Sequence, residues 1–135
     1  MKILILGAAG FIGTNLAIKL ADNKSDKVTL VDKDANYFSN ILKYEFSNVE
    51  IKESSLDENE DFSILKGQDV VYHLVSTNIP TTSNLHISQD IKANVLFSSN
   101  LFEACVRYRV KKVVFISSGG TVYGKHYRSR KWLFP

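Results

Sequence analysis

Short apolar runs alternate with longer stretches of helical periodicity along the chain. Runs of strand length occupy residues 2–6, 28–31, 49–51, 70–74 and 113–116. Helical spacing covers residues 11–22, 35–46 and 88–108, with a weak helical turn over 60–66 and a polar loop over 77–86. Near-continuous apolar strands between helices indicate a parallel sheet with helices on both faces. The right-handed crossover rule then predicts a doubly wound α/β fold of about five strands in the order 3-2-1-4-5.

The first predicted strand leads directly into a glycine turn. Gly7-Ala8-Ala9-Gly10-Phe11-Ile12-Gly13 places three glycines three apart, between a strand and a helix. This arrangement binds a dinucleotide pyrophosphate, because the backbone can approach the anion and the helix N-terminus offers free N–H groups. The alternative is a turn without a ligand, and the flanking strand and helix favour the ligand. The candidate cofactor-binding residues are Gly7, Gly10, Phe11, Ile12 and Gly13.

Asp32 ends the second predicted strand, about 20 residues beyond the glycine turn. A carboxylate at this place can accept hydrogen bonds from both ribose hydroxyls of an adenosine, and it would repel a 2′-phosphate. It therefore indicates NAD rather than NADP. Lys33 works against this preference, because a basic neighbour tolerates a phosphate. The alternative is a solvated carboxylate, since Asp is common where strands end.

Two further segments follow predicted strands at the same edge of the sheet. Leu74-Val75-Ser76 would line the cofactor cleft, with simple core packing as the alternative for Leu74. The loop of residues 117–124 brings hydroxyls to the cleft that could bond a substrate hydroxyl or keto oxygen, or form an ordinary polar turn. We interpret His73 as a core histidine rather than a catalytic one, and Cys105 as buried packing. No spacing of His, Cys, Asp and Glu suggests a metal site.

The composition is that of one ordinary domain. The chain has 135 residues, of which 44% are hydrophobic and 23% are charged. The apolar N-terminal run is too short for a signal peptide or a membrane span, and the single Cys excludes an internal disulfide framework, so we expect a cytoplasmic protein. The net charge of +3 comes from a basic C-terminal segment, residues 125–135. We expect a solvated tail there, with no nucleic-acid or membrane partner.

Together these segments resemble the NAD-dependent epimerase/dehydratase family, the extended short-chain dehydrogenases that act on nucleotide sugars. The resemblance rests on the glycine turn, Asp32 and the segments 69–74, 94–95, 100–105 and 117–124. It implies a Rossmann-type NAD-binding domain over residues 1–124, NAD as cofactor and a nucleotide sugar as partner. It also implies that the glycines hold the pyrophosphate and Asp32 the adenosine ribose. By resemblance, Asn94 and Ser117 lie near the cofactor, and Ser118 and Thr121 are candidates for positioning the sugar.

The chain departs from the family pattern in three places. Ser55 stands where family members often have an Asp that contacts adenine, and Gly119 where some epimerases have a third serine. The family's general base is the Tyr of a Tyr-x-x-x-Lys pair, whose Lys lowers the Tyr pKa. Tyr108 with Lys112 precedes the fifth strand, and Tyr127 with Lys131 follows Ser118 too soon. We therefore expect a chain truncated before that motif, without a substrate domain and with a tail unlike the family.

Two functions fit this pattern. The first is the NAD-binding part of a nucleotide-sugar epimerase or dehydratase with little turnover of its own. The second is a non-enzymatic NAD-binding or interaction module on the same fold, which fold alone cannot distinguish. The fifth strand would form an apolar edge and the long helix would expose an apolar stripe, so we expect a homodimer or a larger assembly.

Overall fold

Five strands form one parallel sheet in a computed structural model that describes residues 1–57, 61–76 and 87–117. The strands are β1 (Lys2–Leu6), β2 (Lys27–Asp32), β3 (Val49–Glu53), β4 (Val70–His73) and β5 (Lys112–Phe115). Their order is β3-β2-β1-β4-β5, and every neighbouring pair is parallel. The predicted doubly wound order is confirmed.

The helical elements connect successive strands. They are α1 (Phe11–Ala21), a 3₁₀ turn (Ala35–Phe38) continued by α2 (Ser39–Leu42), a 3₁₀ turn (Ser63–Leu65), α3 (Ile87–Asp90), a π-helical segment (Ile91–Leu96) and α4 (Phe97–Arg107). The last three form one continuous helical run over residues 87–107, which we call the long helix. Its extent matches the predicted helix over 88–108. The predicted loop over 77–86 lies outside the described residues.

The predicted helix over residues 35–46 is wrong beyond Leu42. Asp34 accepts a hydrogen bond from the backbone N–H of Asn36 and starts a 3₁₀ turn, and the following α-helix has a single turn. Asn and Ser side chains within this stretch compete for backbone hydrogen bonds, which disfavours a helix interior. Glu45 then takes a positive φ of 48°, which ends helical geometry.

The central strand β1 separates two cores. Leu4 and Leu6 face one core, which α4 covers with Phe97 and Leu101. Ile3 and Ile5 face the other, which α1 and α2 cover with their own buried residues. Alternate residues of β1 are therefore buried on both sides, and all four are at most 1% exposed. This two-sided burial explains the continuous apolar run in the sequence.

The carboxyl ends of the strands meet at one edge of the sheet. Gly7 follows β1, Lys33 follows β2 and Leu74 follows β4. The chain runs from β1 to β2 and β3 on one side of the sheet, and then continues with β4 and β5 on the other side of β1. Because the direction of the connections reverses there, a crevice opens between β1 and β4 at this edge. No helix within the described residues is long and apolar enough to cross a membrane.

Candidate functional site

Gly7 turns the chain sharply out of β1. Its φ of +78° lies in the left-handed region, and its N–H donates to the Val31 carbonyl oxygen at 2.9 Å. A Cβ at this position would lie 3.0 Å from the Leu74 carbonyl carbon. The turn therefore requires glycine both for its dihedral angle and for the close approach of β4.

Gly10 and Gly13 differ in whether the surrounding backbone leaves room for a side chain. A Cβ on Gly13 would lie 2.6 Å from the Gly7 carbonyl oxygen, so close packing of α1 on the turn requires that glycine. Gly10 has φ −68° and ψ 169°, which any residue adopts, and within the described part of the chain a Cβ there would meet nothing nearer than the Gly7 carbonyl oxygen at 3.5 Å. The fold itself does not need a glycine at Gly10, so the space above it is open for a ligand.

Asp32 is held in place by the backbone around it. Its Oδ2 accepts a hydrogen bond from the N–H of Ala9 at 2.9 Å, and its Oδ1 accepts one from the N–H of Lys33 at 2.8 Å. The first bond joins the end of β2 to the glycine turn. Because each carboxylate oxygen can accept two hydrogen bonds, the group can still accept two donors from a ligand.

A cavity of about 350 Å³ opens beside Asp32, and we call it the carboxylate cavity. Its lining consists of Gly7, Ala9, Gly10, Asp32, Lys33, Tyr37, Ser55, Leu56, Leu74, Val75 and Ser76. It contains both signs of charge and the hydroxyls of three residues, Tyr37, Ser55 and Ser76. It can therefore take a ligand that offers hydroxyl donors and a flat ring.

A second cavity of about 410 Å³ lies on the other side of the glycine turn, and we call it the apolar cavity. Its lining consists of Gly7, Gly10, Phe11, Ile12, Gly13, His73, Leu74, Val75, Ser76 and Ile116. The two cavities share the glycine turn and the end of β4. A ligand with two halves joined by a narrow anionic centre fits this arrangement.

Most of the predicted cofactor residues line these cavities. Phe11, Ile12 and Gly13 reach the apolar cavity, while Asp32 reaches the carboxylate cavity. Asn94 lines neither, and its side-chain amide donates to Oδ1 of Asp90 at 2.7 Å. Ser117 is exposed just beyond β5 and also lines neither. The candidate substrate residues Ser118 and Thr121, and the basic segment 125–135, lie outside the described residues.

Among the lining residues that sequence reasoning did not assign to the site are Tyr37 and Ile116. Tyr37 reaches the carboxylate cavity from the 3₁₀ turn after β2, where a helix over residues 35–46 was predicted instead. Ile116 reaches the apolar cavity from the end of β5, where it reads as the last residue of an apolar strand. The only sequence signal for these two residues was their position after a strand, because residues that follow strands lie at the carboxyl edge of the sheet, where ligands bind.

The predicted burial of His73 and Cys105 is confirmed. His73 is 1% exposed, and burial lowers the pKa of its imidazole to about 4. Cys105 is buried in α4, and burial raises the pKa of its thiol. The described residues contain no cluster of His, Cys, Asp and Glu that could hold a metal ion.

Tyr108 and Lys112 lie at the end of the sheet opposite the two cavities. Tyr108 caps the end of α4, and Lys112 begins β5 and pairs in register with Val70, the first residue of β4. The cavities lie at the other end of β4, around His73 and the residues after it, and neither Tyr108 nor Lys112 lines them. The second pair, Tyr127 with Lys131, lies outside the described residues.

A family model described as the NAD dependent epimerase/dehydratase family matches residues 3–132. The chain belongs to this family. A Methanocaldococcus jannaschii protein provisionally assigned as a UDP-glucose 4-epimerase is 37% identical over 124 residues, which cover 91% of the chain and 40% of that protein. The Escherichia coli dTDP-4-dehydro-6-deoxyglucose reductase is 35% identical over 136 residues, with the same two coverages.

A solved structure of a family member has the same fold. The Bacillus cereus UDP-glucuronic acid 4-epimerase, in complex with UDP-glucuronic acid and NAD, is 32% identical to the chain and superposes with a TM-score of 0.80. The match covers 94% of the chain and 43% of that enzyme. The chain thus spans less than half the length of the relatives it matches.

Proposed function

We propose that the chain is the NAD-binding part of a nucleotide-sugar epimerase or dehydratase. The observation that carries the proposal is the open space above Gly10, between two cavities that share the glycine turn. The first turn of α1 begins beside this space, where its free N–H groups favour an anion. A pyrophosphate at this point would direct one half of a dinucleotide into each cavity.

The carboxylate cavity suits the adenosine half. Asp32 retains two acceptor positions after binding Ala9 and Lys33, which matches the two hydroxyls of an unmodified ribose. A 2′-phosphate would lie against this carboxylate, so NAD is preferred over NADP. The base would lie farther along the cavity, near Tyr37 and Ser55. Ser55 offers a hydroxyl there, which can both donate and accept.

The apolar cavity suits the nicotinamide half. Ile12 and Ile116 offer apolar surface, and both are about half exposed without a ligand. A flat heteroaromatic ring that covers them would gain from removing this surface from water. NAD bound there would supply hydride acceptance from a sugar hydroxyl, the chemistry that the family performs.

Family membership supports a nucleotide sugar as the substrate class. The chain resembles UDP-glucose 4-epimerase in its motifs, and its relatives' names include UDP-sugar and dTDP-sugar enzymes. We assign a nucleotide sugar as the substrate class, with Ser118 and Thr121 as the residues that position the sugar. The domain organisation we propose is a cofactor domain over residues 1–124 followed by a basic segment.

We expect little turnover from this polypeptide alone. Tyr108 and Lys112 lie at the wrong end of the sheet to act on a bound sugar. General base catalysis contributes about 10²–10⁴-fold, so its loss leaves no measurable epimerisation of UDP-glucose or UDP-galactose. Turnover that disappears in Tyr127→Phe would instead assign the base to the Tyr127/Lys131 pair. Binding of NAD without any nucleotide-sugar binding would favour the second function, a non-enzymatic NAD-binding module.

The long helix supports self-association. Its exposed apolar residues recur at helical spacing and include Ile87, Ile91, Val95 and Val106. In the described part of the sheet, β5 pairs with β4 alone and leaves Phe115 half exposed. Apolar stripes and open strand edges recruit further chains, so we propose a homodimer or a larger species. Sedimentation at micromolar concentration in low and high salt would contradict this if it gave a clean monomer in both.

Mass measurement of the purified chain tests the proposed function. Native ionisation after incubation with NAD should show one dinucleotide per chain, and denaturing ionisation should release it. NADP at the same concentration should give a smaller bound fraction. Equal occupancy by NADP, or no bound dinucleotide, would contradict the assignment of the carboxylate cavity.

A further inference from the structure

A buried histidine connects β4 to the long helix through a hydroxyl. His73 is the last residue of β4, and its Nε2 lies 2.8 Å from Oγ of Ser98. Ser98 lies in the first turn of α4 and donates from its own Oγ to the carbonyl oxygen of Asn94 in the π-helical segment. Two consecutive hydrogen bonds therefore lead from the sheet to the helix.

These contacts determine which nitrogen of His73 carries the proton. The Asn94 carbonyl oxygen has no proton, so the single hydroxyl hydrogen of Ser98 must point to it. The Ser98 oxygen can then only accept from His73, and Nε2 must be the protonated nitrogen. Nδ1 is left as a bare acceptor, and it is buried without a hydrogen-bond partner among the described residues.

The imidazole ring forms part of the wall of the apolar cavity. The rings of Phe97 and Phe115 lie 5.6 and 5.1 Å from it, centroid to centroid. Aromatic packing restricts the plane of the ring, but it accepts both flipped orientations of an imidazole. The hydrogen bond to Ser98 selects one of the two and fixes the ring against the cavity.

The long helix is distorted where this bond meets it. The π-helical segment ends at Leu96, and the Ser98 hydroxyl bonds the carbonyl four residues before it. Hydroxyls that bond back in this way bend helices, and π-helical turns are frequent at functional sites. One hydroxyl therefore links the π-helical segment to His73 at the end of β4, immediately before the residues Leu74–Ser76 that line both cavities.

We propose that the His73–Ser98 hydrogen bond positions the wall of the apolar cavity for the nicotinamide half of the cofactor. The inference rests on the proposed function, because that function assigns this cavity to nicotinamide. Without the Ser98 hydroxyl, both ring nitrogens of His73 would be buried without partners, and the ring would have to turn or move. The lining of the carboxylate cavity includes neither His73 nor Ser98, so we expect the bond to leave adenosine binding nearly unaffected, even though Leu74–Ser76 line both cavities.

Ser98→Ala tests this positioning role. Ser99→Ala, at the exposed neighbouring position of the same helix, is the matched control, and Ser98→Thr keeps a hydroxyl. Calorimetry measures the affinity of each full chain for NAD and for AMP, which occupies the adenosine half alone. We expect Ser98→Ala to weaken NAD binding about tenfold, the scale set by one unpaired buried polar group. AMP binding should stay unchanged, and Ser98→Thr should retain most of the NAD affinity.

The ratio of the two affinities separates positioning from a merely structural role, because a general loss of structure lowers both. A folded Ser98→Ala chain with an unchanged ratio would overturn the inference while leaving the proposed function intact. An unaltered chain that binds neither ligand would overturn both. Nitrogen-15 NMR of the unaltered chain is independent of any variant's folding. It should show His73 protonated at Nε2 at neutral pH, and protonation at Nδ1 would contradict the hydrogen-bond chain.

Discussion

The two halves of the cleft are built from different chemistry around one shared turn. The carboxylate cavity presents Asp32 and Lys33, while the apolar cavity presents Ile12 and Ile116. The first half can distinguish ligands by their hydroxyls and phosphates. The apolar cavity offers mainly apolar side chains, so it favours burial of an apolar or aromatic surface. Selectivity between NAD and NADP therefore belongs to the first half, and affinity for the reactive ring to the second.

The halves also differ in how their walls are held. Asp32 is fixed by two backbone N–H groups that are close in the fold and belong to the strand end and the glycine turn. The apolar cavity depends on contacts between β4 and the long helix, through His73 and Ser98. Local backbone geometry thus secures the adenosine half, and tertiary packing secures the nicotinamide half. A substitution can accordingly damage one half and spare the other.

The largest effect should come from Gly10→Val, because Gly10 lies where the halves meet. A branched side chain would occupy the space assigned to the pyrophosphate, so binding of NAD should be lost. The fold should survive, since among the described residues the nearest atom beyond the chain neighbours, the Gly7 carbonyl oxygen, would lie 3.5 Å from a Cβ there. Calorimetry with circular dichroism checks both parts. Gly13→Val is the contrasting variant and should disrupt the fold, because its Cβ would clash with backbone. Unchanged NAD affinity in folded Gly10→Val would show that the turn holds no ligand.

Asp32→Ala should damage the adenosine half alone. Loss of charge-assisted hydrogen bonds to the ribose should weaken both NAD and AMP by about 1–3 kcal/mol. Preference for NAD over NADP should fall in the same variant, because the repulsion of the 2′-phosphate is removed. Asp22→Ala, an exposed carboxylate beyond α1, is the control and should bind like the unaltered chain. Tighter binding of NADP than NAD by the unaltered chain would be incompatible with the role of Asp32.

Ile12→Ala should have the smallest effect and should be confined to the other half. The substitution removes part of the apolar wall, so the binding free energy of NAD should weaken by about 1 kcal/mol, while that of AMP should not change. Ile87→Ala is a suitable control, since Ile87 is similarly exposed and lies on the long helix. Equal losses of NAD and AMP affinity in Ile12→Ala would show that the two cavities act as one binding site, which contradicts the account.

The sequence predicts the glycine turn and Asp32 better than the contacts that hold the walls of the two cavities, and the structure explains why. Gly7, Gly13 and Asp32 act through backbone geometry at strand ends, which the spacing of residues along the chain specifies directly. The strand order also follows from local periodicity and a handedness rule. Tyr37 was missed because apolar spacing over residues 35–46 suggested a helix, where side-chain competition for the backbone shortens it.

The contact between His73 and Ser98 joins residues that are 25 apart in the chain. The contact forms only because the long helix packs against β4, and no local sequence pattern predicts that packing. Burial of His73 could be predicted from the apolar strand around it, but its partner and its tautomer could not. The π-helical segment is similarly invisible in a sequence whose apolar positions fit an ordinary helix.

Chemical-shift mapping of backbone amides in the full chain tests the two-part cleft most directly. Addition of AMP should shift the amides of Lys33, Tyr37 and Ser55, and leave the group at the far wall of the apolar cavity, represented by Ile116, unchanged. Addition of NAD should shift both groups, together with Gly10 at the junction. Shifts by AMP in both groups, or shifts by NAD away from the glycine turn, would contradict a cleft in which separate halves bind adenosine and nicotinamide.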